Sequence, residues 1–181
     1  ALGGGVLFMI YQLLEHGRWV VPHLAGEPYL EDGPFHYWIA ALTAKLLGLI
    51  LAPHEGARLA SGVLMAVMLY FVHLSGRELY GRIEGISAVL VLLGCLGLLV
   101  HAHETLAEVS MLAGLALAWY GIALALRKPH RAGWLLGAGL LVAALSKGVP
   151  AVIAPVALAL ALPLVSPAWR RREYLSTRST G

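Results

Sequence analysis

Five long apolar runs constrain this chain more than any motif does. Residues 59–76, 84–100, 108–126, 134–146 and 149–166 are dominated by Leu, Val, Ala and Ile, and nearly all of the charge lies outside them. A helix of about 20 apolar residues spans the hydrocarbon of a bilayer, so each run reads as a span, the fourth of them short. Composition closes off the soluble alternative. Of 181 residues, 59% are hydrophobic and 13% charged, with a mean hydropathy of +0.77, which is more apolar surface than a soluble core of this size can hide. We therefore expect an all-α fold, a polytopic transmembrane helical bundle. The fourth and fifth runs are separated only by SKGVP (146–150), which either interrupts one continuous hydrophobic hairpin or merely punctuates it. Pro155 and Pro163 fall inside the fifth, where neighbouring helices can re-satisfy the freed carbonyls.

The connecting segments set an orientation. Arg77 and Arg82 follow the first run, Arg127, Lys128 and Arg131 the third, and Arg170, Arg171 and Arg172 the fifth, whereas the other turns offer only Lys147 and histidines as basic groups. Basic residues accumulate on the cytoplasmic side. Residues 19–38, 101–108 and 146–150 then all fall on the outer face. The organisation expected is an outer-face loop with two interfacial helices (1–56), the transmembrane helices (57–169) and a basic cytoplasmic tail (170–181). The first residue is Ala rather than Met, so the chain reads as an excerpt whose natural start lies upstream. Arg170–Arg172 is a topogenic anchor against anionic lipid rather than a nucleic-acid patch. The single Cys95 sits in an apolar run, which excludes a disulfide framework and a Cys-based metal site. The triple glycine at 3–5 lacks the strand and helix that a phosphate cradle requires.

Ahead of the spans lies Trp19–Trp38, WVVPHLAGEPYLEDGPFHYW. Its prolines and glycines break any long helix or strand, yet its aromatic content argues against a slack linker, so it reads as an ordered loop. Trp19, Tyr29, Phe35, Tyr37 and Trp38 would lie against the bilayer surface, where rings with one polar edge settle. Residues 4–16 and 38–52 read as short interfacial helices, the second with Lys45 snorkelling to the boundary and Pro53-His54 ending it.

On the outer face this arrangement gathers Glu31, Asp32, His101, His103, Glu104, Glu108 and Lys147. Ionisable groups bordering hydrocarbon are costly and tend to be kept for a task. Taken singly, Glu104, His54 and Asp32 read as ordinary solvated loop residues. Glu108 and Lys147 each border a span on its inward-leaning side, where burial against a partner is the better reading. His101 and His103 could hold a divalent ion with Glu104 or Glu108 completing the site. Surface histidines are the default for such a pair, because i, i+2 imidazoles converge only on extended backbone.

These residues also carry a family resemblance. The Trp19–Trp38 run resembles the first-loop pattern W-x-x-P-x-L-x-G-x-P-Y-x-E-K-P-P-L-x-Y-W of bacterial polyprenyl-phosphate-dependent glycosyltransferases of the C-type membrane superfamily. Aminoarabinose transferases that modify lipid A and dolichyl-phosphate-mannose protein mannosyltransferases belong there. Ala57-Arg58-Leu59, the Gly76–Gly81 turn and Ser146-Lys147-Gly148 match in order. The resemblance implies transfer of a sugar from a polyprenyl-phosphate donor to an acceptor at the periplasmic face of the bacterial inner membrane, with inversion at the anomeric carbon. It implies that Lys147 and Arg58 hold the donor phosphate, and that Glu31 and Glu108 orient the sugar, activate an acceptor hydroxyl or hold a metal. Tyr29, Asp32, His101 and His103 complete the donor-binding set.

Two departures stand out. Glu31-Asp32-Gly33-Pro34 replaces Glu-Lys-Pro-Pro, exchanging a cation for an anion, and Glu108 stands where the family has Asp. An acidic first-loop motif is expected immediately before Ala1. The competing reading is a non-catalytic scaffold or lipid-binding protein on the same fold. A transporter is disfavoured because inner-facing polar residues do not line successive spans.

Overall fold

Proline stands at helix starts in this chain, including Pro53, which the sequence alone suggests as a helix end. In the computed structural model, which describes residues 23–24, 27–28, 33–47, 53–95 and 107–165, the helix α1 runs Phe35–Leu47 and α2 runs Pro53–Leu79. Proline's fixed φ and missing N–H suit the first turn, where no intrahelical donor is needed. The α1 ladder starts when the Trp38 N–H donates to the Pro34 carbonyl at 3.0 Å. Phe35–Trp38 is thus helical rather than loop, and Pro53 opens α2 rather than closing its predecessor.

This shift corrects the reading of the aromatic residues. One face of α1 presents Tyr37, Ala40 and Ala41 to Ala60 of α2, and Tyr37 is only 3% exposed. Phe35 packs with Ile39 against Leu64, Met68, Val109 and Ala113, and Trp38 is partly buried. These rings face protein because helical periodicity turns them toward α2, not toward the bilayer boundary. Lys45 is exposed, as expected. Trp19, Tyr29 and the expected helix over 4–16 lie outside the described residues. Within the first loop, β1 (His23–Leu24) and β2 (Glu27–Pro28) form a two-residue antiparallel ladder.

The remaining helices are α3 (Arg82–Gly94), α4 (Ala107–Leu124), α5 (Pro129–Lys147) and α6 (Val149–Val165). The expected short run over 134–146 is a 19-residue helix, because Pro129 at its first turn extends it backwards through His130 and Arg131. SKGVP divides two helices at Gly148, whose φ of 72° is left-handed and favours glycine. Among the described residues one stretch, Leu59–Leu79 in α2, is long and apolar enough by itself to cross a membrane; Glu108–Leu124 and Val149–Val165 are shorter apolar helices.

Burial is inverted relative to a soluble protein. The buried apolar set is mostly alanine, with Ser61, Ser110 and Ser146 also buried, while Leu46, Val63, Ile83, Leu90, Val91, Trp134, Ile153, Leu160 and Leu164 are exposed. Small residues inside and large apolar ones outside suit a lipid solvent, in which helices gain by close backbone approach rather than by hiding side chains. The most extensive pairing, α4 with α5, shows the device. An added Cβ at Gly114 would sit 2.7 Å from the Ala143 nitrogen, and one at Gly121 would sit 2.6 Å from the Leu136 nitrogen. Antiparallel α4 and α5 therefore meet at backbone distance along a stripe of Gly and Ala.

Candidate functional site

The α4–α5 hairpin places two opposite charges at one end. Glu108 lies in the first turn of α4 and Lys147 in the last turn of α5. Each position matches its helix dipole, acid at the N-terminus and base at the C-terminus. Their side chains meet, with Lys147 Nζ 2.8 Å from Glu108 Oε1 and side-chain exposures of 29% and 46%. This is a half-buried pair at a rim, neither deep in the bundle nor fully solvated. Both sequence neighbours of Lys147 are anchored. The Gly148 N–H donates to the Ala144 carbonyl at 2.8 Å and ends α5, and fully buried Ser146 donates its Oγ hydrogen to the Val142 carbonyl at 2.8 Å.

A third segment joins this end. The Gly33 N–H donates to the Ser146 carbonyl at 2.8 Å, which brings the close of the first loop against the turn that carries Lys147. Of the residues expected on the outer face, the structure brings Glu108 and Lys147 together, and the end of the first loop reaches the same turn through Gly33. Sequence reasoning did not find Gly33 or Ser146, since a backbone-to-backbone bond leaves no side-chain signature. The Gly-Pro dipeptide just before an aromatic helix is the available signal. Arg58 lies in the opening turns of α2, whose next turns pack on α1. Glu31, Asp32, Tyr29, His101 and His103 lie outside the described residues. Among the described residues no three His, Cys, Asp or Glu side chains come together as a metal site would require.

The opposite end is basic. Arg77, Arg82, Arg127, Lys128 and Arg131 are all exposed, and Arg127 Nε approaches Glu78 Oε1 at 3.3 Å, tying the close of α4 to the close of α2. Gly76 and Gly85 let α2 and α3 cross closely there. Charge is therefore polarised along the bundle axis, with the Glu108–Lys147 rim at one end and a cationic collar at the other.

A bundle with its large apolar residues outward, a small-residue seam within and charge sorted to its two ends is a polytopic membrane protein. Residues 31–178 match the profile of the dolichyl-phosphate-mannose-protein mannosyltransferases, and the chain belongs to that family. It is 30% identical over 164 residues to the undecaprenyl phosphate-alpha-4-amino-4-deoxy-L-arabinose arabinosyl transferase of Pseudomonas paraeruginosa, covering 87% of this chain and 29% of that protein. A second enzyme of that description, from Sodalis glossinidius, is 32% identical over 158 residues, covering 86% and 27%. Crystal structures of ArnT from Cupriavidus metallidurans share the fold. The apo form gives a TM-score of 0.80 at 22% identity, covering 96% of this chain and 33% of that one. The form bound to undecaprenyl phosphate gives 0.79 at 23% identity, with the same coverage. The chain thus spans about a third or less of the length of the proteins it matches.

Proposed function

We propose that this protein is a glycosyltransferase that moves a sugar from a polyprenyl-phosphate carrier to a lipid, glycan or protein acceptor at the periplasmic face of the bacterial inner membrane. The observation that carries this reading is the Glu108–Lys147 pair at the rim of a bundle with the family's fold, beside the end of the first loop. Its membership of a transferase family weighs against the scaffold alternative. A polyprenyl phosphate has a hydrocarbon tail and an anionic head, so its enzyme needs an apolar exterior leading to a cation at the membrane boundary. Lys147 supplies that charge. An ammonium is a point charge with three N–H donors, so pairing with Glu108 is compatible with contact to a phosphate oxygen.

In this reading the acceptor hydroxyl oxygen attacks the anomeric carbon and the carbon–oxygen bond to phosphate breaks. The electron pair leaves on the phosphate, and the hydroxyl proton passes to a carboxylate, for which Glu31 is our assignment. Lys147 and Arg58 stabilise the phosphate as it departs, and Glu108 orients Lys147 and the sugar. We assign Tyr29, Asp32, His101 and His103 to donor binding, and His101, His103 and Glu108 are the residues that would hold a divalent ion. The test is to incubate membranes containing the full-length protein with a panel of radiolabelled polyprenyl-phosphate sugars. Transfer from at least one donor is expected, and Glu31→Gln should abolish it without loss of folded protein. Wild-type turnover in that variant would remove Glu31 from the chemistry, and folded protein inert to every donor would sink the transferase reading.

A further inference from the structure

Gly33 makes a contact that only glycine can make. Its N–H donates to the Ser146 carbonyl at 2.8 Å, and a Cβ at this position would run into the carbonyl of Leu145. The acceptor belongs to the last turn of α5, whose carbonyls have no intrahelical donors left. The Ala144 carbonyl is taken by Gly148, and Gly33 supplies the donor for Ser146 from outside the helix. Proline, which the first-loop resemblance leads one to expect at position 33, has no N–H to give. Alanine has the N–H but not the room.

The bond lies at a sensitive place. In sequence Gly33 directly follows the Glu31-Asp32 pair. On the other strand of the contact, Ser146 is followed directly by Lys147, whose ammonium is paired with Glu108. We propose that Gly33 is a positioning residue for the donor site. Its N–H clasps the end of the first loop to the α5 terminus and so fixes where that loop meets the turn that carries Lys147. This role rests on the transferase reading above; the clasp itself does not.

The experiment compares wild type, Gly33→Ala and Gly33→Pro in the full-length protein, with Gly62→Ala as a control, since a Cβ at Gly62 meets nothing within 4 Å. Amide exchange resolved to Gly33 reads the clasp without reference to activity. Protection of at least ~100-fold over an unstructured peptide is expected in the wild type. Kinetics read the role. Both variants should raise the donor KM by roughly 10-fold or more while acceptor KM and unfolding temperature stay near wild type, because small displacements of a binding group cost that much or more. A freely exchanging Gly33 amide in the wild type overturns the clasp even if neither variant folds. Folded variants with unchanged donor KM, or with kcat and stability falling together at constant donor KM, overturn the positioning role. A wild type that transfers no polyprenyl-linked sugar overturns the transferase reading and the donor role with it, while the exchange measurement still judges the contact.

Discussion

The Glu108–Lys147 pair is the contact on which the chemistry and the architecture both lean, and the two uses can be separated. As a rim pair it adds little to stability, about 0.2–1 kcal/mol, because water screens partly exposed charges. As a phosphate contact Lys147 is worth more, since hydrogen bonds between charged groups contribute about 1.5–3 kcal/mol. Lys147→Ala should therefore raise the donor KM by about 10-fold or more while shifting the unfolding temperature by only a degree or two. The part of the Glu108 role that runs through the lysine is already lost in Lys147→Ala, so the loss in the Glu108→Gln, Lys147→Ala double variant should fall clearly short of the sum of the two single losses. Steady-state kinetics on the two single variants and the double variant measure this; strictly additive losses would mean that the two residues act separately. Both residues were legible in the sequence as ionisable groups at span ends. Their contact was not, because pairing depends on which helices pack side by side.

At the level of the helix, the α4–α5 seam makes the sharper statement. A Cβ at Gly139 would lie 2.7 Å from the Gly114 carbonyl, whereas one at Gly137, two residues away on the same helix, meets nothing within 4 Å. Gly139→Val should lower the unfolding temperature in detergent, with an overpacking cost of about 1–3 kcal/mol. Gly137→Ala should leave it unchanged or raise it by the helix preference of alanine, about 0.5–1 kcal/mol. Equal effects at the two sites would mean that the helices do not approach as closely as this.

The helices also show what the sequence could and could not convey. Hydrophobic runs located α4 and α6 to within two residues at each end, because hydrocarbon-length apolar stretches have few alternatives, whereas the run for α2 begins at 59 rather than at Pro53 and the run for α3 continues to 100, past the helix end at Gly94. Three boundaries were misplaced at Pro34, Pro53 and Pro129, each read as outside or ending a helix when it stands at a start. Proline forbids a helix interior but favours its first turn, and a run of letters does not say which side of the proline the helix occupies. Tyr37 was assigned to the bilayer surface for the same reason, since a ring on a loop and a ring on a helix face meet different surroundings.

At the scale of the molecule, the two ends of the described bundle carry different charge, and this predicts an orientation that can be measured. The accumulation of basic residues on the cytoplasmic side of membrane proteins predicts that the end carrying Arg77, Arg82, Arg127 and Arg131 faces the cytoplasm and the Lys147 end faces outward. With exposed Cys95 replaced by Ser, a cysteine at Val149 should react with a membrane-impermeant maleimide in intact spheroplasts, and one at Lys128 only after permeabilisation. The reverse pattern would invert the topology and remove the periplasmic assignment.

The glycine and alanine stripe between α4 and α5 has a last consequence, for how such a protein can drift. On the lipid side one bulky apolar residue is nearly as good as another, so exchanges there cost little and should accumulate freely. On the seam even a single methyl group forces two backbones apart, so that side is confined to the smallest residues. Low overall identity alongside a closely shared fold is what this asymmetry produces. A library randomised over α4 and α5 should return folded clones with varied outer faces around a nearly unchanged inner stripe.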